Sequence, residues 1–569
     1  MGSVDNAMLK VDESVTGLFG QWNAYTSLLV TVFVGLLTYL ITTRSDPDTH
    51  PLLLARQAQG SRVRNEGESP VYRAYSAPHG MPLNSGLNVR DPGAARWGRG
   101  RDGDLRDIWR QAVNGVQEEG PSKGARGRIL TILGTENVTE HSLDAITRQI
   151  NLIGQHILDQ GGNRVAIYLP NSVEYIATLF ACSFYNLTAI LLPFDQPDDA
   201  VISMLRRSAA DTVVTVPGSF PFDNVIKSYP SLRQLVWVVD EGSKHLDWNE
   251  VPQGMGGSVN VSTWQDIVNE QPADAGKDLP PLGGQKEPRD VTIFTQTKPG
   301  QMEEMVRFTA ANLVAGVAGQ LAAIPSAQRM SPSDLFLAAD ALSNTYTLVL
   351  TLAALYSNAS VAFNSVAGKA TDLSVATRGV APTILIATPT QLLNTHREAS
   401  GLLSSFFARQ LHWLRTRSLT QNGVMPTSSL LSRYKDNIRP SIGTTPGKLR
   451  LIFTFERVGS DFPPLSSAIL SDLRVYTGAR VIYALTAPKV AGAVAQTGFY
   501  DYRVFKDSRS HFGAPLTSTE VVLRDMNEHK TTDSESRGEI IVRGPAVAGN
   551  EAALGVIGVI REDNTLAYA

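Results

Sequence analysis

Beyond residue 129 the chain alternates short apolar runs with stretches of helical periodicity. The run RVAIYL (164–169) is followed by a helical pattern over 173–184, a second apolar run at 187–192, a helical pattern over 200–209 and a third run at 212–216. Strands that are apolar throughout, separated by helices of this length, predict βαβ units and a largely parallel sheet buried on both faces. The alternation recurs at 335–339, 360–363, 383–387, 449–453 and 480–483, while 520–523 and 538–542 read as short antiparallel strands. No repeat of fixed period is present.

The N-terminal part has a different texture. Residues 24–43, AYTSLLVTVFVGLLTYLITT, carry no charge. As a helix they would measure ~30 Å, the thickness of a bilayer's hydrocarbon core. Trp22, Tyr25 and Tyr39 sit where interfacial aromatics would, and the acidic stretch before the run argues against a signal peptide. The expectation is a transmembrane helix over 24–43. Arg44, Arg56, Arg62 and Arg64 follow it and only Lys10 precedes it, so the positive-inside rule predicts a short lumenal segment over 1–23 and a cytoplasmic body. The endoplasmic reticulum is the default membrane for such an anchor. Residues 44–128, rich in Arg, Gly, Pro and Ser with mixed signs as in RWGRGRDGDLRD, read as an irregular solvated linker, leaving 129–569 as the folded body.

Composition narrows the chemistry. Charged residues are 18 % of the 569 and the net charge is −3, which excludes a nucleic-acid binder that relies on a basic excess. The single cysteine, Cys182, excludes an internal disulfide framework and a cysteine zinc site, and its apolar surroundings predict a buried, inert thiol. No metal site is expected. There is no nucleophile elbow, zinc-protease helix or Walker loop. His156 and Asp159 are spaced too closely for an acyltransferase pair. Residues 401–419, GLLSSFFARQLHWLRTRSL, read as a helix packed into the body; its basic amphipathic pattern also allows a membrane-interface or acyl-tunnel role.

Several stretches carry a family resemblance. They are VAIYLPNSVEYIATLFACSFYNLTAILLPFDQPDDAVISMLRRSAADTVVT from Val165, TAANLVAG from Thr309, APTILIATPTQLL from Ala381, the segment 449–467, ARVIYALT from Ala479, HFGAP from His511 and GEIIVRGP from Gly538. In this order and spacing they resemble the AMP-binding, adenylate-forming superfamily, with long-chain acyl-CoA synthetases the nearest likeness, over roughly residues 130 to 566. The resemblance implies an α/β fold of stacked βαβ subdomains with a small antiparallel β portion. It also implies a chemistry in which ATP activates an acid to an acyl-adenylate before transfer to coenzyme A, and it allows lipid droplets or peroxisomes as well as the reticulum.

The parts that this chemistry demands are altered. The triphosphate loop of the family ends in a lysine. Here the stretch from Phe294 to Val306 reads FTQTKPGQMEEMV, and alignment places Glu303 or Glu304 at that lysine, with Lys298 at the wrong end. Repulsion between a carboxylate and phosphate in a partly desolvated pocket is worth up to several kcal/mol. The family's Tyr-Gly-x-Thr-Glu segment is Tyr483-Ala484-Leu485-Thr486-Ala487, so the magnesium-binding glutamate is Ala487. The ribose-gripping aspartate corresponds to Val556, and the cap domain with its lysine is not found before Ala569. Thr295, Thr297, Tyr483 and Thr486 remain as residual nucleotide-binding candidates. The expectation is a membrane-anchored, non-catalytic acyl-CoA-synthetase-like protein that binds a fatty acyl ligand or a protein partner and needs no cofactor. The alternative is an active long-chain fatty acid–CoA ligase using ATP, Mg and CoA.

Overall fold

The computed structural model describes residues 23–42, 46–90, 97–116, 124–133, 137–239, 259–281, 287–298, 300–366, 372–426, 439–445, 447–533 and 535–569, with 16, 17 and 20. They fall into two compact units, Met1–Asp48 and Thr49–Ala569.

In the first unit the apolar run is a helix, Ala24–Thr42. Asn23 opens it: its Oδ1 accepts from the backbone N–H groups of Tyr25 and Thr26 at 3.0 Å. The helix is 19 residues long, about 28 Å at 1.5 Å per residue. Among the described residues no helix is long and apolar enough to cross a membrane. The predicted span, and the orientation drawn from it, are therefore not carried by the structure.

The second unit is built on three sheets. A seven-stranded sheet runs in the order Glu304–Phe308, Val291–Thr295, Thr188–Leu191, Arg164–Tyr168, Thr212–Thr215, Gln234–Trp237, Asn260–Thr263. It is parallel except for its first strand, which pairs as a hairpin with Val291–Thr295. A nine-stranded sheet has six parallel strands at its centre, in the order Arg480–Thr486, Leu451–Arg457, Ile384–Ile386, Leu335–Ala338, Ser360–Asn364 and Ile129–Leu133. A six-stranded antiparallel sheet contains Glu520–Arg524, Arg537–Arg543, Glu551–Ile560 and Leu566–Tyr568. The runs read as strands from the sequence are strands, and the two read as antiparallel pair that way.

Side chains from both parallel sheets meet in one continuous core, with helices Leu143–Asp159, Val173–Phe184, Ala310–Ala323 and Thr345–Tyr356 contributing to it. That placement explains why Val173–Phe184 and Thr345–Tyr356 are apolar all round: every residue but one is buried in each. Cys182 lies on the first of them, buried, with its thiol pushed up by burial.

Residues 44–128 depart from the linker reading. Strands Ala58–Gly60 and Tyr72–Ala74 form a hairpin, and Tyr72 pairs with Val521 to extend the antiparallel sheet. Helix Leu105–Asn114 buries Leu105, Ile108, Trp109 and Ala112. The Trp109 Nε1 donates to Thr147 Oγ1 at 3.1 Å, and its ring lies 5.1 Å from that of Phe180. The mixed charges that read as solvated are spent on one another: Arg101 clasps Asp107 with both guanidinium nitrogens, and Arg106 pairs with Asp104, the helix cap. A charge-rich segment thus hides one apolar helix face.

Helix Phe406–Asn422 also departs from its packed reading. Only Ala408 and Leu419 are buried along it.

Candidate functional site

Strands of a parallel sheet present their carboxyl ends on one edge, and ligands bind where such ends converge. Three strand ends converge here. Thr295 closes Val291–Thr295 in one sheet, while Arg457 closes Leu451–Arg457 and Thr486 closes Arg480–Thr486 in the other. They line a narrow cleft, about 10 Å³ of which is free to a water-sized sphere, together with Ala487, Pro488 and Gly492, and with Asn344, Thr345 and Tyr346 at the start of helix Thr345–Tyr356.

The cleft wall is mostly apolar, with a few polar groups set in it. Thr295 Oγ1 and Tyr346 Oη are buried, and no hydrogen bond is made to either among the described residues. Buried hydroxyls left unpaired cost free energy, so each marks a place where a ligand atom or water completes the bonding. Arg457 supplies the cation. Its guanidinium lies 5.6 Å from the Phe455 ring centroid and 5.9 Å from that of Phe462, and donates to the Gln296 carbonyl at 3.4 Å. Burial pulls its pKa below the usual arginine value, and Asp340 offsets this in part. Among the lining residues there is no carboxylate.

The residues singled out from the sequence divide. Thr295, Thr486 and Ala487 line the cleft. The Thr486 hydroxyl donates to the Glu456 carbonyl at 3.3 Å. Thr297 stands in the neighbouring loop, its hydroxyl 3.4 Å from Gln301 Oε1. Tyr483 is fully buried, and its hydroxyl donates to Glu456 Oε2 at 2.5 Å. Burial raises the pKa of both groups, and Arg509 Nε approaches the same carboxyl at 3.3 Å. Tyr483 is therefore a core hydrogen-bond donor and does not line the cleft.

Glu303 and Glu304 do not line the cleft. Glu303 is buried, 3.7 Å from Arg207 on helix Asp198–Ser208, whose Nη2 also donates to the Glu303 carbonyl at 2.7 Å. Glu304 begins an edge strand and is exposed. Lys298 is engaged with Asp461 at 3.2 Å. Val556 sits within strand Glu551–Ile560 and packs on the core of the antiparallel sheet, away from the cleft lining. His156 and Asp159 line a different hollow, beside Glu270 and Asp266.

Other parts of the motifs hold the frame. Thr309 and Asn312 form a reciprocal capping box at the start of helix Ala310–Ala323, and Asn312 Nδ2 donates to the carbonyls of Pro545 and Val547 at 2.8 and 3.0 Å. Gly316 lets that helix approach the Ala491 backbone, since a Cβ there would stand 2.4 Å from the Ala491 carbonyl oxygen. Arg457, Asn344 and Tyr346 were not singled out from the sequence. One signal pointed at Arg457: it ends an otherwise apolar strand-like run, LIFTFER, at the position where parallel strands present site residues.

Comparison with known proteins agrees with this architecture. The family model described as AMP-binding enzyme matches residues 138–281. An uncharacterized protein of Saccharomyces cerevisiae, YHR045W, is 21% identical over 92% of this chain and 91% of its own length. Long-chain-fatty-acid–CoA ligase 5 of Rattus norvegicus is 21% identical over 67% of this chain, and ligase 1 of Cavia porcellus 22% over 78%. The chain covers only 53% and 61% of those two ligases. Among solved structures, the anthranilate CoA ligase AuaEII in complex with anthranoyl-AMP superposes with a TM-score of 0.56 at 16% identity, over 82% of this chain and 77% of that one. The N-terminal domain of FACL13 from Mycobacterium tuberculosis gives 0.53 at 13% identity, over 82% of this chain and all of that domain. The chain resembles the AMP-binding enzymes and long-chain acyl-CoA ligases in sequence and has the adenylate-forming α/β fold.

Proposed function

We propose that this chain is a non-catalytic relative of the acyl-CoA synthetases whose cleft holds a small anionic group without a metal ion, in a lipid-binding or scaffolding role within fatty-acid metabolism. One observation carries the reading: the cleft offers an arginine and hydroxyls but no carboxylate. Magnesium takes oxygen ligands at about 2.0–2.1 Å and is held at phosphoryl-transfer sites by one or two carboxylates. Ala487 presents a methyl group, and Glu303 is held by Arg207 outside the lining. Without the metal, a bound triphosphate would leave several negative charges facing a single guanidinium.

A carboxylate or a single phosphate suits the same groups better. The arginine fork matches two oxygens of either, and the free hydroxyls of Thr295 and Tyr346 are placed to complete the bonding. The cleft is narrow, with about 10 Å³ free to a water-sized sphere, so a headgroup enters it only as the side chains around it shift. This reading does not depend on an anchor at 24–43.

The test uses the full chain. Calorimetry with Mg-ATP is expected to show no heat that EDTA abolishes, and any dissociation constant to be weaker than about 1 mM, or ~4 kcal/mol. An assay for long-chain acyl-CoA is expected to show no product that depends on fatty acid, ATP and CoA together. A fatty acid or AMP is expected to raise the melting temperature with or without magnesium, and Arg457→Ala to remove that rise. Turnover dependent on all three substrates overturns the reading. It would instead support the second one, an active ligase with divergent motifs, which the likeness to the rat and guinea-pig ligases favours.

A further inference from the structure

Helix Phe406–Asn422, FFARQLHWLRTRSLTQN, contains three arginines and no acidic residue. Its inner side is fastened to the body. His412 Nε2 lies 2.9 Å from Asp472 Oδ1, the His412 ring stacks on Tyr476 at 4.7 Å, and Leu419 joins Met425, Val475 and Tyr502 in a small core. Its outer side is apolar and bare: Phe406 is 71% exposed, Phe407 79%, Trp413 53% and Leu414 55%, with Leu402 just before it at 50%.

Scattered apolar exposure is ordinary, but four large side chains within about two turns of one helix form a contiguous patch, the kind that marks an interaction surface. The spacing makes the patch one face. Phe406, Gln410, Trp413 and Arg417 follow one another at intervals of three or four, and Phe407 and Leu414 are seven apart. Arg409 and Arg417 are exposed among them, and the Arg417 guanidinium lies over the Trp413 ring at 5.3 Å. Nothing else among the described residues covers the aromatic rings.

We propose that this face docks onto an anionic lipid surface. The occupant follows from the chemistry of the ridge. It is convex, so it suits a surface that yields rather than a rigid groove. Its aromatic and aliphatic side chains match the depth of the acyl boundary, and Trp413 suits the headgroup level. Its arginines have stems long enough to lie along the apolar patch while their charges reach the phosphates, and no carboxylate on the helix opposes them. This docking is independent of what the cleft holds and of the helix Ala24–Thr42.

The sole native cysteine, Cys182, is buried, so a Gln410→Cys substitution at the centre of the exposed face can be labelled selectively with an environment-sensitive fluorophore. The labelled full chain is mixed with vesicles of phosphatidylcholine alone or with 30 mol% phosphatidylserine. With phosphatidylserine the emission is expected to rise at least threefold and shift to the blue, with less than half that rise on phosphatidylcholine alone. Arg409 also holds the backbone carbonyls of Leu403 and Ser404, whereas Arg417 bonds the Gln421 side chain on the same helix, so Arg417→Glu is expected to cut the rise at least twofold with no change in melting temperature, and Arg409→Glu with Arg417→Glu to cut it at least fivefold. An unchanged emission overturns the proposal even if the chain floats with the vesicles, because another segment is then responsible and the ridge is left to a protein partner. Equal rises on the two vesicle types overturn it as well.

Discussion

At the scale of single residues, the side chains that replace the expected chemistry are structural. Glu303 is buried and paired with Arg207. Glu303→Lys, which restores the residue type of an ATP-binding loop, sets two cations against each other in a buried place. It is expected to cost about 2–4 kcal/mol in chemical denaturation and to bring no Mg-ATP binding in calorimetry. Tyr483 gives a second test. Removing its hydroxyl in Tyr483→Phe takes a donor from the buried Glu456 carboxyl and is expected to cost about 1–3 kcal/mol. A contact residue for a nucleotide would instead leave the melting temperature in place. Of the positions singled out from the sequence, Thr295, Thr486 and Ala487 line the cleft, since motif order carries alignment. It could not reveal that Tyr483 points into the core, since direction is set by which side of a strand faces the helices.

At the scale of elements, the hairpin and helix between residues 58 and 114 decide more than their composition suggests. Trp109→Ala is expected to destabilise the body by about 3–5 kcal/mol, read from denaturant midpoints, whereas a tryptophan in a solvated linker would cost nothing measurable. Asp501 ties the same region to the far end of the chain. It accepts from Gln57 Nε2 at 2.5 Å and from Arg503, and lies 3.5 Å from His511. Although burial opposes it, these bonds hold its pKa at about 2. A depressed carboxylate stabilises the fold above its ordinary value of 3.8, and that share, about 2 kcal/mol, disappears as pH falls toward 2. Burial lowers the pKa of His511, so its protonation in the unfolded chain also favours unfolding as pH drops below the ordinary value of 6.5. Denaturation curves from pH 7 to 2 are expected to fall through both ranges, and Asp501→Asn to flatten the lower one.

At the scale of the whole molecule, the chain from Thr49 onward is one compact unit, in which the N-terminal hairpin joins the antiparallel sheet near the C-terminal end of the chain. Glu68 pairs with Arg524 and Arg543 at 3.0 and 2.8 Å, and the Asn564 side chain donates to the Ala58 carbonyl at 2.9 Å. A fragment beginning at residue 128 removes a sheet edge and the Trp109 helix together. It is expected to lose the cooperative melt that a fragment beginning at Thr49 retains, as calorimetric scanning would read directly.

The sequence by itself determined the order of strands and helices, because apolar periodicity reports burial on one face or two, and burial here follows the local run. It also put Ala487 at the position where the resemblance implies a metal-binding glutamate, and a methyl group ligates nothing in any fold. Tertiary structure alone decided the rest. Helix Phe406–Asn422 has an amphipathic pattern that suits either a core or a surface, and only the position of its neighbours leaves the aromatic face bare. The charges of residues 99–110 pair with each other, which local composition cannot distinguish from solvation. Arg457 enters a cleft only because strands distant in the chain end at the same place, and that convergence is a property of sheet order rather than of any segment.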